Sequence, residues 1–101
     1  MALKAAFIFV APKADAIKHR ATVETPEVTL ISVGVEDYAA AEAAAKALVD
    51  EGVAAIELCG GFGVEGTARI KRAVGDRAAI GVVRFDGHPG LGNQSGDALF
   101  G

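Results

Sequence analysis

The chain has 101 residues, 51% of them hydrophobic and 23% charged, with a formal net charge of −3. This is ordinary globular composition for one domain, and the scattered basic residues argue against nucleic acid or an anionic membrane as partner. The single cysteine cannot close an intrachain disulfide and no segment approaches the roughly 20 apolar residues of a membrane span, so a cytoplasmic setting is expected.

The opening stretch, "MALKAAFIFVAPKAD", resembles a short leader only superficially. Its apolar run is as long as one buried strand and ends in Pro-Lys instead of a small-residue cleavage site. Ala5 to Val10 is therefore expected to be a strand buried on both faces. The crossover that follows, "KADAIKHRATVETPE", is weakly patterned: two helical turns over Asp15 to Ala21, then extended chain imposed by Pro26. Val28 to Val35 supplies a second strand.

"EDYAAAEAAAKALVDEG" is the clearest helix. Alanine has the highest helix propensity, and Tyr38, Ala41, Ala45, Leu48 and Val49 share one face. Glu42 precedes Lys46 by one helical turn on another face, and Gly52 supplies the stop. Val53 to Cys59 is a third strand. Val64 to Val74 is a second helix with Ala68, Ile70, Ala73 and Val74 inward, Glu65 and Arg69 paired outward, and Gly75 at its end. Ala78 to Phe85 is a fourth strand.

Strands alternating with helices imply parallel pairing and right-handed crossovers. The expected fold is α/β: a small open parallel four-stranded sheet, β-α-β-α-β-α-β, in one domain spanning residues 1–101. Order 2-1-3-4, with helices on both faces, is preferred because it covers both sides of all-apolar strands. Order 1-2-3-4 would leave one face bare unless a partner chain covered it. Residues 86–101 form a tail with five glycines and one proline and no hydrophobic period. Its Leu99-Phe100 pair is an apolar anchor expected to dock on this sheet or a neighbour's.

Ligands of open parallel sheets bind beyond the carboxyl ends of the strands. There the sequence collects Lys13 after the first strand, "CGGFG" (residues 59–63) after the third, and Arg84 to His88 after the fourth. Glycines at 60, 61 and 63 let a ligand approach the main chain, and a helix starting at Val64 aims its N–H groups at the same point. A phosphate or carboxylate held by Gly60, Gly61, Gly63 and Arg84, with Lys13 nearby, is one reading. A tight turn with nothing bound is the other, since the spacing matches neither the phosphate-loop nor the dinucleotide fingerprint.

Cys59, beside a helix N-terminus, stands where a thiol becomes nucleophilic, although free cysteine more often serves as a small buried hydrophobe. Glu57 interrupts an apolar strand and needs a partner if buried. A Glu57–Arg84–Asp86 cluster would provide one, with Glu57 ionised and Arg84 largely desolvated, and a structural ion-pair role is preferred over catalysis. His88, between Asp-Gly and Pro-Gly, is the better acid/base candidate, with a plain turn residue as the alternative. His19 and Arg20 would join the site only if the weak first helix capped it. No residues have metal-ligand spacing, and no cofactor is implied.

"IELCGGFG", followed by a helix and then "GVVRFDGHPGLG…SGDALF", resembles a family of small prokaryotic proteins defined only as a domain of unknown function. The likeness runs the whole chain, including "KHRATVETPEV". It implies no activity and carries over no catalytic residues. The third and fourth strand–loop units also look like pieces of phosphate-binding β/α barrels, a likeness that assigns no function.

Two functions follow as expectations. One is a small-molecule anion site at the strand ends. If it is enzymatic, His88 would be the acid/base, Cys59 the nucleophile or polariser and Asp86 the orienting group, in proton-transfer or lyase-type chemistry. The other is a non-catalytic homo-oligomerising module whose glycine-rich tail locks subunits together.

Overall fold

The computed structural model describes residues 2–85 and 87–101. Five strands form one sheet in the order β2-β3-β1-β4-β5, where β1 is Leu3–Val10, β2 Arg20–Glu24, β3 Val28–Val35, β4 Ala55–Leu58 and β5 Ala79–Val82. Three helices accompany it: α1 (Tyr38–Asp50), α2 (Val64–Val74) and the short α3 (Gly96–Phe100). All pairings are parallel except β2 with β3.

The four-strand expectation is corrected by β2. Asp15 Oδ1 accepts the N–H groups of Ile17 and Lys18, which makes a single turn where a short helix was expected. The chain then straightens into Arg20–Glu24, and a turn at Thr25 returns it to β3. The Thr25 hydroxyl donates to the Val28 carbonyl and accepts the Val28 N–H, at 2.7 and 2.9 Å.

The same substitution removes the helices expected on the second face. The β3-α1-β4 and β4-α2-β5 connections step across the sheet in one direction, so right-handed crossovers put α1 and α2 on the same side. The β1-to-β3 connection steps the other way and is the one that would cover the opposite face. There the chain spends its residues on an edge strand.

The core accordingly lies on one side. Register aligns Ala6 with Ile31 and Ile56, and Ile8 with Val33 and Leu58; all six are buried beneath Tyr38, Ala41, Ala45, Leu48, Ile70 and Val74 of the helices. Asp37 caps α1 by accepting the Ala40 N–H, and Gly52 ends it at φ 98°. Arg69 pairs with Glu42 of α1, so its partner is on the neighbouring helix and not Glu65. None of the described helices is long and apolar enough to cross a membrane.

Candidate functional site

The turn after β4 shows what its glycines are for. A Cβ on Gly60 would meet the Phe85 ring, and one on Gly61 would meet Val10. On Gly63 it would meet Asp97 and Ser95, and on Gly96 the Gly61 carbonyl. Gly60, Gly63 and Gly96 let the chain's own C-terminal segment pack against this turn, and Gly61 makes room for the end of β1.

The N-terminus of α2 is filled in the same way. Its N-cap, Gly63, has no side chain to offer. The Asp97 carboxylate takes that role, accepting the N–H groups of Glu65 at 3.1 Å and Gly66 at 3.0 Å. Asp97 Oδ1 also accepts the Tyr38 hydroxyl at 2.9 Å, and the Tyr38 oxygen in turn accepts the Gly63 N–H at 2.9 Å. Ser95 caps α3 through the Asp97 N–H. A helix N-terminus favours an anion, and here the anion is a side chain of the same chain.

Titration behaviour follows from these contacts. Burial alone would raise the Asp97 pKa; the two amides, the Tyr38 hydroxyl and the positive charge of Arg84 outweigh it and hold the carboxyl below its ordinary value. Tyr38 is fully buried. Burial first, with Asp97 adding to it and the Gly63 N–H opposing, pushes its hydroxyl up to about 12. Its ring stacks on Phe62, with centroids 5.4 Å apart, and Phe100 tilts against it at 6.4 Å. Phe100 is thus the tail's anchor, whereas Leu99 stays exposed.

The structure brings some expected site residues together and separates others. Cys59 and His88 flank the same glycine pair. The Cys59 sulfur accepts N–H groups from Val10 at 3.5 Å and Gly61 at 3.3 Å, while the His88 ring lies over Gly60 and 4.6 Å from the Phe85 ring. His88 Nδ1 accepts the Gly90 N–H at 2.9 Å, so the ring also caps the 3₁₀ turn Pro89–Leu91. Gly61, Phe62 and Gly63 all spend their N–H groups within the chain. Lys13, exposed at φ 66°, makes no hydrogen bond or ion pair among the described residues.

The Glu57–Arg84 pairing is corrected. Both residues are exposed and no ion pair joins them among the described residues; Glu57 stands on the face that no helix covers, so it is solvated. Asp86 lies outside the described residues. No group of three or more potential metal ligands occurs among those described.

That uncovered face is the feature sequence reasoning missed. Alternate residues of the strands line it: Ala5, Phe7 and Phe9 of β1, Val28, Leu30 and Ser32 of β3, Ala55 and Glu57 of β4, and Ala79 and Gly81 of β5. Even β2, exposed throughout, follows the rule. Register with β3 places its Ala21 and Val23 on this face and its Arg20, Thr22 and Glu24 on the other. Val23 is 61% exposed and Leu3 45%. The strict alternation of "RATVE" was the available signal.

Fold and site together define a one-sided α/β sheet protein: a mostly parallel sheet with its helices on one face, a self-capped helix N-terminus at the strand ends, and an apolar second face. The family model described as a family of unknown function (DUF6506) matches residues 3–98. The chain belongs to that family. No curated protein and no solved structure matches it.

Proposed function

We propose that this domain is a homodimerising module whose interface is the uncovered sheet face, two copies packing face to face. The observation that supports this is the placement of apolar residues on β2, an edge strand that receives no cover from its own chain yet turns Ala21 and Val23 to that side. Contiguous apolar patches of this kind mark interaction sites.

The dimensions suit the role. Five strands at about 4.8 Å and four to eight residues at about 3.3 Å give a footprint of roughly 450 Å². Two such footprints, pleated and therefore larger in accessible area, bury about 1,000 Å² or more, the size a specific interface requires. The one charged side chain described on the inner strands of this face, Glu57, stands beside Gly81, where there is open space, so its carboxylate has a path to the rim.

Sedimentation velocity over a concentration series tests the proposal. The wild type is expected at twice the 10.2 kDa chain mass, and Phe7→Lys and Leu30→Lys, each on this face, at the monomer mass with an unchanged far-ultraviolet spectrum. A wild type that stays monomeric at 200 µM, or a dimer indifferent to both substitutions, rejects it.

A further inference from the structure

A second concave surface lies on the helix side, between α2 and β5. Val64, Thr67, Ala68 and Lys71 of α2 fall at the spacing of one helical face, and with Ile80, Val82 and Arg84 they line a groove of about 310 Å³. Among the described residues no strand pairs with the outer edge of β5, so the groove is open along that side. Its floor is apolar, and Val64 is 60% exposed.

Two cations mark its ends. Arg84 lies just beyond β5, beside the first turn of α2, and Lys71 lies two turns further along the helix, about 10 Å away by helical rise. Neither forms an ion pair among the described residues, whereas Arg20, Arg69 and Arg77 all do. Arg84 donates to the Phe85 carbonyl. Asp97 is within Coulombic reach of Arg84, but its oxygens are occupied by two amides and the Tyr38 hydroxyl.

An apolar floor between two separated cations complements a linear molecule with an anionic group at each end. We infer that the α2–β5 groove binds a small aliphatic dicarboxylate, its chain on Val64, Ala68, Ile80 and Val82 and its carboxylates at Arg84 and Lys71. The roughly 10 Å between the two cations along the helix matches an extended chain of about eight carbons.

The test is titration of the full-length, ¹⁵N-labelled protein with octanedioate, octanoate, octanol and inorganic phosphate, followed by amide shifts. Octanedioate is expected to move the amides of Val64, Ala68, Ile80 and Val82 and to bind about tenfold more tightly than octanoate, the worth of one charge-assisted hydrogen bond. Arg84→Gln and Lys71→Gln, both at exposed positions, are each expected to remove that factor. Equal binding of diacid and monoacid, no shifts in the groove at millimolar diacid, or Gln variants that bind like wild type overturn the inference. So does a β5 edge protected in the unliganded protein by a second copy, seen as a change in sedimentation on Val82→Asp that the Phe7→Lys variant retains.

Discussion

Replacing Asp97 with alanine removes three hydrogen bonds at once: those from the Glu65 and Gly66 amides and from the Tyr38 hydroxyl. Hydrogen bonds to a charged group contribute about 1.5–3 kcal/mol each where water cannot replace them, and loss of an N-cap costs about 0.5–2 kcal/mol. Glu65 is exposed and its amide finds water, while Gly66 and Tyr38 are buried, so the expected loss is about 2–3 kcal/mol in total. For a domain of this size that lowers the melting temperature by about 10 °C or more. The loss also has a pH signature. A carboxyl whose folded pKa is depressed stabilises fully above its unfolded value of about 3.9 and ceases to do so as pH falls through the folded value. Urea titrations of wild type and Asp97→Ala are therefore expected to differ fully at pH 7 and to converge below pH 4. A difference under about 0.5 kcal/mol at neutral pH, or one that persists undiminished at pH 2, would refute the assignment of Asp97 as the cap of α2.

The protein has one tyrosine and no tryptophan, so phenolate absorbance reports Tyr38 alone; its titration is expected near pH 12, and a midpoint near 10 would contradict its burial. Because that pKa is raised on folding, the stability it contributes is present below about pH 10 and is lost as pH climbs through about 12. Gly96→Ala drives a Cβ into the Gly61 carbonyl and is expected to cost about 1–3 kcal/mol, measured by denaturant midpoint, with Glu65 and Gly66 amide exchange accelerated. Glu57→Gln takes a charge from the proposed dimer face and is expected to tighten association modestly in sedimentation equilibrium, since even a carboxylate that reaches the rim loses part of its hydration when the face closes; weaker association would place Glu57 in a favourable contact across the interface.

What the sequence disclosed depended on whether the governing interaction was local. Helix α1 was legible because alanine-rich periodicity, the stop at Gly52 and the Tyr38–Ala41–Ala45–Leu48 stripe are all short-range, and each holds. The parallel strands were legible from their continuous apolar runs. Those same runs hid the uncovered face, since Phe7, Phe9 and Leu30 look in letters like residues buried by a second helix layer. Strand β2 was obscured by its Lys-His-Arg approach and by Pro26, although its alternation pointed outward. The glycines of the β4–α2 turn were read as positions where a ligand could approach the main chain. What approaches is Phe85, Val10, Ser95 and Asp97, a fact set by contacts more than thirty residues apart for Asp97 and invisible to any local pattern. Glu57 was assigned a partner because burial was assumed for its face; with no helix there, water solvates it.

The capping of α2 by Asp97 also has a temporal consequence. The two amides it serves lie 32 and 31 residues earlier in the chain. During synthesis, therefore, α2 and the whole β4–α2–β5 unit emerge before the group that completes the helix exists. Closing so long a loop costs entropy that only the finished contact repays. Pulse-labelled amide exchange during refolding should find the first turn of α2 protected late, together with α3 and after the β1–β3 pairing. A nascent chain paused before residue 97 would hold an assembled sheet with one helix end still open to water.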